Sequence, residues 1–256
     1  MAKGEFYGKL AWCYEFMTTG KGHKIEADFV RKTVKKYKKS KGNELLDVGC
    51  GHGWHDKFLK RHFKVTGVDL NKGILRYAKK RNPEIRYVQG DMRKFDLKTK
   101  FDVVLSLDAM MHNLNYDDLE RTIKNLAKHL VKGGVLIFHL DRLKENFRPY
   151  RVVSDPEGHQ FLRGDTHLTY FQIDYDKNPK DTVFETVMVF LIEKRGKDPY
   201  VLLDRESMGL FELAKIRKIL SKLGFRTYLY SGDSSGKKYS KKSEFPVFVC
   251  VKAPNR

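Results

Sequence analysis

Residues 45–55 read LLDVGCGHGWH, an apolar run closed by an acid and followed by Gly49, Gly51 and Gly53 on alternate positions. An apolar run of this length, bounded by turn residues, forms a buried strand. Glycines directly after it allow a tight turn in which a ligand presses against bare peptide groups. In an open parallel sheet, ligands bind beyond the carboxyl ends of the strands, which is where this turn falls. A dinucleotide turn, G-x-G-x-x-G, would need glycine where Trp54 stands, and a phosphate-cradling loop would need a Gly-Lys-Ser/Thr that is absent. Both common phosphate-binding readings are weakened.

Working outward, Ile25, Phe29, Val30, Val34 and Tyr37 recur at helical spacing, with Arg31, Lys35 and their basic neighbours on the other face. Strands then alternate with helices: strand 44–48, helix 54–61, strand 65–68, helix 72–81, strands 85–88 and 101–107, helix 117–130 and strand 135–138. That order predicts an α/β fold, a Rossmann-like, doubly wound and mostly parallel sheet with helices on both faces. After residue 148 the texture turns to THLTYFQIDY and TVFETVMVFLIE, rich in Thr, Val, Tyr and Phe and broken by turn residues, which predicts antiparallel strands. A helix returns in LFELAKIRKILSKLGF, stopped by Gly224. The expected organisation is an N-terminal helical cap over 1–42, a core formed by 43–148 and 208–256, and an antiparallel β insertion over 149–207 that lines the acceptor pocket. The loop SGDSSGKKYSKKSE is the one segment whose composition predicts flexibility.

At 256 residues the chain suits one folding unit. Lys and Arg outnumber Asp and Glu by 51 to 32, for a formal charge of +19. Such a surface attracts polyanions, of which nucleic acid is the usual one. Heavy Lys and Glu usage suits a thermophile, although here only one sign is in excess. Cys13, Cys50 and Cys250 fit neither a disulfide framework nor a zinc motif, and no His/Asp/Glu spacing marks a metal site. No apolar run approaches the roughly 20 residues that cross a bilayer, and no leader pattern is seen, so the expected location is cytoplasmic.

The pattern G-x-G-x-G is followed one strand later by Asp69, at the end of VTGVD, where a carboxylate can accept bonds from two ribose hydroxyls. A second acidic turn, Gly90-Asp91-Met92, follows the third strand. These three elements in order resemble the class I S-adenosylmethionine-dependent methyltransferases. The resemblance implies S-adenosylmethionine as cofactor, with Asp47, Gly49, Gly51 and Gly53 around its methionine and ribose parts. It further implies Asp69 and Leu70 at the ribose, Asp91 and Met92 at the adenine, and Leu107 along the wall. YEFMTTGKG (14–22), GDMRKFDL (90–97) and ENF (145–147) are similar to segments of the enzymes that dimethylate the amine of nucleotide-linked aminosugars. By that likeness Tyr14 lies over the methionine end.

SLDAMMHNL (106–114) follows the fourth strand, where class I enzymes place acceptor-facing residues. It keeps the acid of the Asp-Pro-Pro-Tyr loop of base-amine methylases, as Asp108, but neither its prolines nor its aromatic residue. The candidates for chemistry are Asp108, His112 four residues on, His139 at the end of the fifth strand, and Tyr14. For substrate contact they are Arg31 and Lys35 on the basic helix, and Lys237, Lys238, Tyr239 and Lys241 in the late loop, where cations around an aromatic suit phosphate contact and base stacking. The reading this favours is methylation of an RNA base at an exocyclic amine. The alternatives are N-methylation of a small amine or aminosugar, and a silent cofactor-binding module that assembles on RNA.

Overall fold

The computed structural model describes residues 8–18, 20–152, 158–240, 243 and 245–252. Two short lead helices, α1 (Ala11–Met17) and α2 (Lys21–Tyr37), precede the alternating unit β1 (Glu44–Val48), α3 (Trp54–Leu59), β2 (Lys64–Asp69), α4 (Lys72–Arg81) and β3 (Arg86–Gln89). The unit continues with β4 (Phe101–Ser106), a 3-10 turn at Met110–His112, α5 (Tyr116–Lys128) and β5 (Leu130–His139). Strands β6 (Arg151–Val152), β7 (His159–Arg163), β8 (Thr166–Tyr175), β9 (Val183–Lys194) and β10 (Tyr200–Gly209) follow, and α6 (Leu213–Lys222), β11 (Phe225–Ser231) and β12 (Pro246–Lys252) close the chain.

The main sheet has seven strands in the order β11-β12-β5-β4-β1-β2-β3. Strands β1 to β5 pair in parallel, and β12 runs against both of its neighbours. Helices cover both faces, so the central strands must be apolar on both sides. Every residue of β4 is buried. Alternate residues serve opposite faces. Leu46, Val104 and Leu136 pack with Leu119, Ile123 and Ile216 of α5 and α6. Leu45, Val103 and Ile137 pack with Val30 and Val34 of α2 and Leu59 of α3.

Strands β10, β9, β8 and β6 form a separate antiparallel sheet, with β7 paired to β8. Leu168, Met188, Phe190 and Ile192 on one of its faces cluster with Leu10 and Cys13 on and beside α1. The lead helix is thereby clamped between the small sheet and the glycine turn. Where sequence periodicity stops helix 54–61 at Arg61, the α-helix ends at Leu59, because Lys60 and the residues after it turn toward β2. The late loop is tied down rather than free over its described part. Ser231 donates to the Lys237 carbonyl and Tyr239 to the Leu229 carbonyl, and the Tyr239 ring packs on the main core. Among the described residues no helix is long and apolar enough to cross a membrane.

Where β5 meets β12, the rings of Phe138 and Phe248 are both fully buried and stack with centroids 4.7 Å apart. Phe248→Ala is expected to cost about 3–5 kcal/mol in urea unfolding, and a loss below about 1 kcal/mol would show that this face of the sheet repacks freely.

Candidate active site

The turn after β1 holds its shape from beneath. Asn82 Nδ2 donates to the Gly53 carbonyl at 2.9 Å and to the Tyr87 hydroxyl at 3.0 Å, and Tyr87 in turn donates to Asp56 Oδ2 at 2.8 Å. Asp47, only 2 % exposed, faces Asp56 across this network. Burial and the adjoining Asp56 charge push the Asp47 carboxyl well above its ordinary value, and burial raises Asp56 as well. Gly49 lies at φ +75°, and a Cβ there would strike Ala109. At Gly53, with φ +70°, a Cβ would lie 2.7 Å from the Tyr87 hydroxyl. The first glycine thus permits close approach of the loop after β4, and the third permits packing on β3 and α4.

Above the turn is a cavity of about 920 Å3, lined by the carboxyl ends of the parallel strands, by Tyr14 of α1 and by residues of β10. Asp69 is fixed at its rim by two backbone donors, Gly51 N–H to Oδ2 at 2.9 Å and Asn71 N–H to Oδ1 at 2.8 Å. Asn71 caps α4 with its own side chain, accepting from Gly73 and Ile74, so helix start and acid position are coupled. Asp91 also lines the cavity, with its carboxylate held by Arg93 at 2.7 Å and kept below its ordinary pKa by that bond. The Tyr14 ring stacks on His52 with centroids 4.6 Å apart. Arg81 lies over the Trp54 ring and bonds to Glu15 and to the His52 carbonyl.

Across the cavity floor stands Asp108, in the left-handed region at φ +54°, a conformation aspartate tolerates better than most side chains. His139 lies behind it, 4 % exposed, with Nε2 3.1 Å from Asp108 and Nδ1 3.1 Å from Asp141. Burial alone would discharge this histidine, yet the two carboxylates outweigh it and raise its pKa to about 10. Burial likewise works against the Asp108 charge, and His139 reverses the balance, holding the acid well below the usual carboxylate range. His112 lines the cavity from the 3-10 turn and is kept neutral by burial. His55 bonds Glu26 at 2.7 Å, and that carboxylate sustains its charge against burial, whereas burial and His55 together lower His23 to about 4.

Of the residues expected to meet cofactor, Tyr14, Gly49, Gly51, Asp69, Leu70, Asp91, Met92 and Leu107 line the cavity. Asp47 and Gly53 do not, because they form the support beneath it. Asp108 and His112 line it as well, and His139 touches it only through Asp108. The residues expected to touch RNA are elsewhere. Arg31 and Lys35 ride the outer side of α2, Arg31 beside Asp28, while Lys237, Lys238 and Tyr239 pair with β11. Lys241 lies outside the described residues. Sequence spacing also gave no sign of two groups whose ligand-type atoms lie within 4.8 Å of one another: His23, Glu26 and His55, and Asp108, His139 and Asp141. Leu203 to Ser207, Lys177 and Glu185 also line the cavity and were not legible in the sequence, although acids at alternate positions in LLDRES would share one face of a strand.

A family model described as a methyltransferase domain matches residues 45–134. The chain is 31 % identical over 157 residues to a dTDP-3-amino-3,6-dideoxy-alpha-D-glucopyranose N,N-dimethyltransferase of Streptomyces fradiae, the match covering 59 % of this chain and 61 % of that one. It is 27 % identical over 224 residues to a dTDP-3-amino-3,4,6-trideoxy-alpha-D-glucopyranose N,N-dimethyltransferase of Streptomyces venezuelae, covering 87 % of this chain and 91 % of that one. Its fold matches that of S-adenosylmethionine-bound CalS10, an amino pentose methyltransferase from Micromonospora echinaspora, with a TM-score of 0.80 at 22 % identity over 95 % of this chain and 96 % of the other. The chain thus carries a methyltransferase domain over residues 45–134, on the fold of the S-adenosylmethionine-dependent methyltransferases, enzymes whose cofactor is S-adenosylmethionine. RNA methylation, an RNA partner and a thermophilic origin gain no support from these relatives.

The residues present fit that cofactor. Bare peptide edges at Gly49 and Gly51, a backbone-anchored acid at Asp69 and a concentration of carboxylates suit a cationic donor with a ribose. The Trp54 Nε1–H at the same end is buried without a partner, so a donor to an incoming acceptor atom stands ready.

The His139 pKa gives a pH test. Its folded value lies above the unfolded one, so its stabilisation is complete below about 6.5 and is lost as pH rises through its folded value near 10. Asp108 is shifted the other way, and its contribution is lost as pH falls below about 3.9 toward its lowered folded value. An NMR titration of the His139 ring is expected to show it protonated well past neutrality in the native chain and to shift toward its ordinary value in Asp108→Asn. An unchanged midpoint in that variant would remove Asp108 as the partner.

Proposed function

We propose that the chain transfers methyl groups from S-adenosylmethionine to an amine of a small, sugar-like acceptor. One observation carries this reading: the alignment with an aminosugar N,N-dimethyltransferase extends over 224 residues, well past the methyltransferase domain and into the part that forms the acceptor wall. The geometry supports it. The cavity is walled by β10 opposite the glycine turn, and the cations proposed for RNA contact lie away from it. In this reading residues 149–207 act as the acceptor-side insertion and 1–42 as the cap.

When bound, S-adenosylmethionine supplies a methyl group activated by a sulfonium, which is open to in-line displacement by an amine lone pair. Asp108, held ionised by His139, is too weak a base to take the amine proton and instead accepts its N–H, which aims the lone pair. His139, fixed in turn by Asp141, positions Asp108. His112, kept neutral by burial, lines the same cavity and can accept a hydrogen bond from a polar group of the acceptor. Tyr14, stacked on His52, closes the methionine end and helps exclude water.

Incubation with methyl-labelled S-adenosylmethionine and, separately, a dTDP-linked aminosugar, glucosamine and total cellular RNA tests the reading. Label is expected on amine nitrogens of a sugar, resolved by mass spectrometry as single and double methyl additions. Label confined to RNA would reverse the assignment.

A further inference from the structure

The face of the small sheet that meets α1 carries a row of polar side chains across three strands. Asp174 on β8, Thr186 on β9 and Glu206 on β10 are direct partners in register, and the next row holds Gln172, Met188 and Asp204. Most of these groups are satisfied. Tyr170 donates to Gln172, Gln172 Nε2 donates to Asp174 at 3.0 Å, and Arg142 lies 3.4 Å from the Asp174 carboxylate. Two are not: Glu206 Oε2 and Thr186 Oγ1 are buried with no hydrogen-bond partner, and Thr186 is 1 % exposed. Glu206 and Asp204 both line the cavity on the side away from the glycine turn. On the other face of β10, Glu185 accepts from Ser207 at 3.1 Å and has Lys177 at 3.8 Å, so that carboxylate is already answered.

A half-buried carboxylate without a counter-charge is costly. Its cost is more telling in a chain with 51 cations and 32 acids. Burial and the Asp204 charge raise Glu206 to about 7, and no described cation offsets them. Of the two unpartnered groups, Glu206 lines the cavity and Thr186 lies behind it, so an incoming N–H donor with positive charge would supply the missing bond to Glu206 and would restore full ionisation of the acid. A diphosphate placed there would instead meet Asp204 and Glu206 as like charges.

Building on the amine-methylation reading, we infer that the acceptor carries a second ammonium group besides the nitrogen that is methylated, and that Glu206, whose buried Oε2 has no partner, is the group that holds it. The substrate class is thus a multiply aminated sugar or related polyamine rather than a nucleotide-linked monoamine seated on this wall. Asp108, on the opposite side of the cavity, addresses the reacting nitrogen. Glu206 addresses the distal one.

The test compares neamine, a multiply aminated sugar, with glucosamine and a dTDP-linked aminosugar as acceptors for the full chain and for Glu206→Gln and Thr186→Val. S-adenosylhomocysteine affinity serves as the check that each variant is folded. Glu206→Gln is expected to raise KM for neamine about tenfold more than for glucosamine, the effect of losing one charged hydrogen bond, with kcat for neamine little altered. Thr186→Val, beside Glu206 in the row but off the cavity wall, should leave both KM values little changed. Equal KM changes for both sugars, or a dTDP-linked aminosugar used best and improved by Glu206→Gln, would overturn the subsite while leaving amine methylation intact. If no amine accepts a methyl group, the function itself fails and this inference falls with it.

Discussion

The structure depends on a turn that keeps its peptide groups bare. Gly49 lets the loop after β4 approach, Gly53 lets β3 and α4 pack beneath, and the hydrogen-bonded set Asp47, Asp56, Tyr87 and Asn82 fixes the turn so that Gly51 can donate to Asp69. Two buried acids side by side, Asp47 and Asp56, are a high cost for a turn that carried no ligand. The same support fixes the carboxyl ends of β1 and β2 relative to each other, and it is there that donor and acceptor must meet.

Charge in this molecule is sorted by place. The excess of Lys and Arg lies on outward faces such as that of α2, while the cavity gathers Asp69, Asp91, Asp108, Glu185, Asp204 and Glu206 against Arg93, Lys177 and Arg205. A cationic sulfonium and an amine acceptor both suit such a lining. Net charge reports on the surface as a whole. It says little about a cavity whose few carboxylates are enclosed and act at short range.

This explains which features were legible in the sequence. The parallel core was readable because its strands are buried on both faces and its helices are amphipathic, so β1, β2, β4 and α4 fall where periodicity puts them, α4 at Lys72–Arg81 itself. Asp69 was readable because it ends β2, and Asp91 because it follows β3 after the single residue Gly90. Asp47 does not line the cavity because it faces Asp56, nine residues on and brought to it by α3, a pairing that no local pattern announces. The pairing of Asp108 with His139 and the row Asp174, Thr186, Glu206 depend on register between distant strands, which no local pattern encodes. Arg31, Lys35, Lys237 and Lys238 were drawn into the substrate by composition alone.

The central claim is that the glycine turn and Asp69 form a seat for a sulfonium nucleoside, and calorimetric titration of the purified chain tests it most directly. S-adenosylmethionine and S-adenosylhomocysteine are expected to bind with saturable heat at one site per chain, while NAD and ATP give none. Tight binding of NAD or ATP with no heat from either sulfur nucleoside would contradict the account.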